Sequence, residues 1–164
     1  GMEADGLAQR PSIPVPEPEE ILEAYLAAVP AVKDHMDATV AEARDRGYTE
    51  TLFGRRRQIP ELSSRNFRIR QAGERQAMNA GIQGLAADIF KVALVRLDEA
   101  LAAMDAQSRV VLQVHDEVIV ELVPEEHDAV TTATLDAMQG AFDLRVDLEV
   151  NLAFGASWAE AKSA

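Results

Sequence analysis

The sequence predicts an α+β fold in which helices cover one face of an antiparallel sheet, and three observations carry that prediction. The stretch RVVLQVHDEVIVEL, residues 109–122, holds two β-forming runs interrupted by His115, Asp116 and Glu117, the pattern of a hairpin. Residues 66–104 keep a helical pattern over an unusual length for a small domain. The signals come in the order helices, hairpin, long helix, hairpin, helix, strand, so the two kinds of element are segregated rather than strictly alternating.

The elements follow from local chemistry. GMEADGLAQRPSIPVPEPEE carries four prolines between Pro11 and Pro18 and should be mostly irregular. Pro18, Glu19 and Glu20 then signal a helix start, since proline suits the first turn and acids there oppose the helix dipole. Ile21, Leu22, Tyr25, Leu26 and Val29 form its apolar stripe, and Pro30 stops it. A second amphipathic helix over 31–46 uses Val32, Met36, Val40 and Ala43, with Gly47 as its stop. GYTETLFGRRRQIPEL reads as a hairpin turning at Phe53-Gly54 and ending at Pro60.

In the long helix, Gly81 and Gly84 predict a kink or break. Ile82, Leu85, Ala86, Ile89, Ala93, Leu97 and Leu101 should face a core. In the hairpin that follows, Val110, Leu112 and Val114 should face inward with Val118, Val120 and Leu122 across a tight turn. PEEHDAVTTATLDAMQG is a helix bounded by Pro124 and Gly140, and RVDLEVNLAF, residues 145–154, alternates like a half-buried strand.

At 164 residues with 48% apolar and 27% charged content, the chain is expected to form a single compact globular domain rather than a disordered one. No apolar run approaches the roughly 20 residues that span a bilayer, so no membrane is expected. There is no cysteine, which removes disulfides and thiolate metal sites and fits a cytoplasmic location. A net charge of −12 argues against nucleic acid for the chain as a whole. Between Arg44 and Arg75, however, nine arginines face four acids, a local excess of five positive charges that leaves −17 on the rest. Such a block is either a solvated surface or an anion-binding face.

Adjacent carboxylates at a hairpin tip bind hard divalent cations such as Mg²⁺ through oxygen, and could serve phosphoryl or nucleotidyl transfer. As an isolated triplet, His-Asp-Glu reads first as plain turn chemistry. A lone histidine makes zinc a poor fit, and no cluster of three or four acids suggests a metal-dependent nuclease. In ERQAMNAGIQG, Arg75, Asn79 and Gln83 fall at i, i+4 and i+8, sharing one helix face over about 12 Å. These are either a solvent-exposed polar stripe or donors for minor-groove base acceptors. Gly81 and Gly84 would allow another backbone to come close.

QVHDEVIVEL resembles motif C of the family A DNA polymerases, the bacterial DNA polymerase I type. ERQAMNAGIQGLAADIFKVAL resembles that family's long palm helix, GYTETLFGRRRQIPEL its preceding hairpin, and VNLAFGASWAEAK its C-terminal strand and tail. The resemblance implies a palm-type sheet. It divides the chain into residues 1–46, a helical segment similar to the fingers-to-palm region after the O helix, and residues 47–164, the C-terminal part of the palm. Gly81 stands where the family commonly has proline, and Asp5 where an aromatic is usual.

The resemblance further implies that Asp116 is a catalytic, metal-binding aspartate, with Glu117 assisting, in a two-Mg²⁺ site only partly encoded here. His115 would lie near the primer terminus. Arg75, Asn79 and Gln83 would contact the minor groove, and Arg55, Arg56, Arg57 and Arg70 would add to DNA binding. Primer–template DNA and deoxynucleoside triphosphates would be the partners of the complete enzyme, acting in replication or repair. The family's motif A and O helix are not in this sequence, so the isolated chain is expected to be inactive and to self-associate through an exposed sheet. A non-catalytic descendant that binds nucleic acid or protein is the alternative.

Overall fold

Proline and glycine set the element boundaries of the first half. The computed structural model describes residues 16–162, so the expected irregular stretch before Pro16 lies outside the described residues. Helix α1, Pro16–Ala28, and helix α2, Pro30–Arg46, are separated at Val29, with Pro30 in the first turn of α2. Gly47 ends α2 in the left-handed region at φ 75°, its N–H donating to the Ala43 carbonyl. The described residues divide into two compact units between Leu85 and Ala86, inside helix α3, Phe67–Ala103.

In the first unit, β1, Tyr48–Glu50, pairs antiparallel with β2, Arg56–Gln58. Thr51 and Arg55 close the loop between them, and Gly54 supplies a φ of 78° that other residues adopt only at a cost. A 3₁₀ turn, Pro60–Ser63, leads to Asn66, whose side chain accepts the Arg68 N–H and caps α3. The core here is Ala43, Ile59, Leu62 and Ala77, with Val40 against it. The stripe expected on α1 is not buried: Ile21 and Tyr25 are exposed, and Leu26 and Val29 are half-covered.

Helix α3 is continuous, so the expected break at Gly81 and Gly84 does not occur. Glycine lowers helix propensity by only about 1 kcal/mol, which 37 residues of ladder and packing override. The glycines differ in what they allow. A Cβ on Gly73 would lie 2.9 Å from the Glu61 Cβ and 3.1 Å from the Leu62 nitrogen, and one on Gly84 would lie 2.7 Å from the Thr51 methyl, whereas Gly81 faces open space. Gly73 is therefore the position where the 3₁₀ turn presses on the helix.

The second unit is built on Leu97 and Leu101 of α3, packed with Val130 and Ala137 of helix α4, His127–Gln139. Strands β3, Arg109–Val114, and β4, Glu117–Glu121, form an antiparallel hairpin whose Val110, Val118 and Val120 pack onto that cluster together with Leu122. The sheet is thus covered on one face by helices, as expected for an α+β fold. The expected inward row on β3 is only partly right. A bulge between Val110 and Leu112 inserts one residue, so Leu112 pairs with Ile119 and is 46% exposed. An extra residue reverses every side chain beyond it, which moves Leu112 and Val114 off the core side.

Two further expectations change. Of the inward stripe on α3, Ala93, Leu97 and Leu101 are buried, while Ile82 is 63% exposed. Residues 145–154 form no strand: an alternating sequence becomes a strand only where a ladder partner exists, and none is paired with it among the described residues. The last helical element among the described residues is a single turn, α5, Trp158–Ala161.

The base of the hairpin, opposite its turn, is tied to the start of α4. The Glu126 carboxylate accepts the Gln107 and Ser108 N–H groups, each at 2.9 Å, and Ser108 Oγ accepts the Val123 N–H at 2.9 Å. These bonds, the Ser108 hydroxyl foremost and then the two N–H groups, hold Glu126 below the ordinary glutamate range. A depressed carboxylate stabilises the fold above its unfolded pKa and stops doing so as pH falls through the folded one. Glu126→Gln should therefore lower the thermal midpoint at pH 7, and the gap from the parent should close as the buffer is taken below the glutamate range. The glycines give a second test by urea unfolding. Gly81→Ala should stabilise by about 0.4–1 kcal/mol, chiefly through the unfolded chain. Gly73→Ala should destabilise by about 1–3 kcal/mol through overpacking.

Candidate active-site hairpin and basic cleft

The turn of the β3–β4 hairpin contains two residues, His115 and Asp116, between the paired Val114 and Glu117. Tight antiparallel hairpins need positive φ at the first central residue of a II′-like turn, where glycine is the easy choice. Here His115 takes that role with φ 54°, steadied by Gln113 Nε2 donating to its carbonyl at 2.6 Å. A non-glycine residue in this region costs on the order of 1–3 kcal/mol and points to a demand on the side chain. Asp116 is exposed at the tip, as the alternating flanks imply.

Glu117 opens β4 with its side chain split between two environments. Its Oε1 meets Lys162 Nζ at 2.9 Å, while Oε2 is enclosed and has no hydrogen-bond partner. Adjacent oxygen donors of this kind suit a hard cation. No group of three or more His, Cys, Asp or Glu residues able to hold a metal occurs among the described residues, so the tip offers part of a coordination set.

The other predicted residues lie in the first unit. Arg75, Asn79 and Gln83 share one face because α3 is unbroken between them. Arg55, Arg57 and Gln83 line one cleft of about 250 Å³ with Thr49, Thr51, Ala80 and Gly84. Arg57 also donates to Gln76 Oε1 at 3.3 Å. Arg56 is differently engaged: its Nε donates to Glu50 Oε2 at 2.5 Å, and its guanidinium lies 4.9 Å from the Tyr48 ring centroid. Arg70 donates to the Ser64 carbonyl at 3.1 Å beside Phe67. Arg46 packs on Tyr48 at 4.5 Å and bonds Glu42. The Tyr48 hydroxyl first, then Glu42, raise Arg46 above the usual arginine range, and Glu50 does the same for Arg56.

The sequence of this chain matches the DNA polymerase family A pattern over residues 1–160. The chain belongs to that family. DNA polymerase I of Mycobacterium tuberculosis is 47% identical over 96% of this chain and 18% of its own length. The thermostable DNA polymerase I of Thermus aquaticus is 43% identical over 99% of this chain and 19% of its own. Among solved structures, the POL domain of Pol1 from M. smegmatis, in complex with DNA primer-template and dNTP, superposes with a TM-score of 0.94 at 42% identity. That match covers 99% of this chain and 29% of the other. This family A chain thus spans under a fifth of the curated relatives' length. No described helix is long and apolar enough to cross a membrane.

Sequence reasoning missed Thr49, Thr51 and Lys162. Thr51 had a local signal: its Oγ1 accepts the Phe53 and Arg55 N–H groups at 3.3 Å each, the habit of a threonine opening a turn. Lys162 had none at the hairpin, since its partner Glu117 is remote in sequence. The strain at His115 is measurable. His115→Gly should stabilise by up to about 2 kcal/mol, because relief of about 1–3 kcal/mol of strain exceeds about 0.5–1 kcal/mol of added chain entropy. His115→Val should cost about 1–3 kcal/mol. Thermal melts of the two variants check both values.

Proposed function

We propose that this chain is the C-terminal part of a polymerase palm, belonging to an enzyme that joins deoxynucleotides to a primer on a DNA template in replication or repair. The carrying observation is Asp116, exposed at a two-residue turn that a strained His115 makes possible, beside a Glu117 oxygen with no partner. Asp116 is the catalytic metal ligand in this reading, Glu117 assists it, and His115 faces the primer end. Mg²⁺, when bound, would neutralise charge on the reacting phosphate and favour attack by the primer hydroxyl. The residues' own task is to hold oxygen donors rigidly on strand ends. Residues 1–46 and 47–164 keep their proposed assignments to the fingers-to-palm segment and the palm.

Arg75, Asn79 and Gln83 would read minor-groove acceptors and Arg55 and Arg57 would meet phosphates, supported by the cleft they border. Arg70 remains in the proposed DNA set, and so does Arg56 with a smaller share, since the Glu50 carboxylate already meets its charge. A cytoplasmic setting belongs to the same proposal. So does self-association, supported by the exposed Val111 and Leu112 and testable by light scattering.

Binding of this chain to primer–template duplex should fall steeply with salt. Because each phosphate contact adds about 0.9 to the slope of log K against log salt, Arg55→Ala with Arg57→Ala should flatten it by about 2, and Arg56→Ala by much less. An unchanged slope in the double variant would sink the phosphate-contact assignment. Asp116→Ala should leave binding largely intact. The isolated chain should not extend a primer with Mg²⁺ and all four deoxynucleotides, since the family's motif A carboxylate and O helix are not among these residues. Extension abolished by Asp116→Ala would show that the chain is catalytically sufficient.

A further inference from the structure

The segment that carries Lys162 is built tightly for a stretch so exposed. Ser157 caps the single turn by accepting the Glu160 N–H at 3.3 Å, and the Glu160 carboxylate reaches back to the Ala156 N–H at 3.1 Å. This reciprocal arrangement is close to a capping box. Gly155 permits the fold-back, because a Cβ there would lie 2.7 Å from the Ala161 nitrogen. Upstream, the Phe154 ring sits 4.7 Å from the His127 ring at the start of α4. The Lys162 ammonium then lies 5.4 Å from the Trp158 ring centroid and 2.9 Å from Glu117 Oε1. Lys162 is thus brought to the hairpin by a local structure of its own.

We infer that Lys162 is a positioning residue, an internal counter-ion that holds the Glu117 carboxylate and sets the affinity of the hairpin tip for a divalent cation. The inference rests on the reading of Asp116 and Glu117 as a cation-binding pair. Glu117 has one oxygen held by the ammonium and one enclosed without a donor, so the Lys162 contact fixes its direction. Asp116 is exposed at the tip. An ion approaching the pair meets both a carboxylate turned toward the lysine and the positive charge of the lysine itself. Both effects lower the tip's attraction for a cation. Lysine acts here as a compact point charge on a flexible stem, so the hold is reversible.

The test is titration of the 164-residue chain with Mn²⁺, following free metal by electron paramagnetic resonance, with circular dichroism on each variant. Lys162→Met should tighten Mn²⁺ binding about tenfold, the size expected for removing one charge beside a divalent ion in water. Lys162→Gln should behave alike, so that loss of folding in one variant does not decide the matter. Lys162→Arg should stay within about twofold of the parent, since it keeps the charge. In a Glu117→Gln background the Lys162→Met gain should shrink, because only the direct charge effect remains once the carboxylate that the lysine holds is gone. Binding that depends on Asp116 but ignores Lys162, or a Lys162 effect of undiminished size in Glu117→Gln, overturns the inference and leaves the carboxylate-pair reading standing. Binding that is absent, or indifferent to Asp116→Asn, overturns that reading and the inference with it.

Discussion

The one-residue bulge between Val110 and Leu112 and the two-residue turn at His115–Asp116 are coupled constraints on a single hairpin. Side chains alternate along a strand with a period of two, so an added residue exchanges the faces beyond it. The base of the hairpin can therefore bury Val110 and Val120 against Leu97 and Val130 while Leu112 and Val114 leave the core side nearer the tip. The turn then has to reverse the chain in two residues, which forces positive φ on His115. A longer loop would relieve that strain, and would also loosen the placement of the two acids. Rigidity at the tip and strain at His115 are one structural choice.

The legibility of this fold in its sequence depended on the range of the cause. Helix ends were readable because Pro30, Gly47, Pro124 and Gly140 act within their own turn, and the structure uses all four at element boundaries. The hairpin carrying Asp116 was readable because β-forming residues flank it on both sides. The bulge was not, since nothing in RVVLQV distinguishes an inserted valine from a paired one. Nor could residues 145–154 reveal that their alternation lacks a ladder partner among the described residues, because pairing is decided elsewhere. Gly81 and Gly84 misled for the opposite reason: propensity costs are small beside the packing of a long helix. The charge block was readable as a block, but its internal neutralisation was not. Glu74 on Arg44, and Glu50 on Arg46 and Arg56, come from different elements.

That neutralisation changes the meaning of the basic segment. Exposed ion pairs add little stability, about 0–1 kcal/mol each, so their main effect is to sort the arginines. Arg44, Arg46 and Arg56 serve the hairpin and the helix beside it. Arg55 and Arg57, on either side of Arg56, border the cleft that also holds Gln83. Alternation along β2 separates Arg56 from Arg57, since neighbouring side chains on a strand point to opposite faces, and Arg55 lies in the loop before it. Three consecutive arginines that look redundant in the sequence are therefore not equivalent in the fold.

Trp158 is the single tryptophan of the chain, and the Lys162 ammonium lies 5.4 Å from its ring. Indole emission responds to charge placed near the ring, so this pair makes the tail an intrinsic optical reporter. Any event that draws the ammonium from its place beside Glu117 changes the electric field at the indole without the need for an attached dye. The same arrangement that presents a lysine to the hairpin also lets its departure be followed by light.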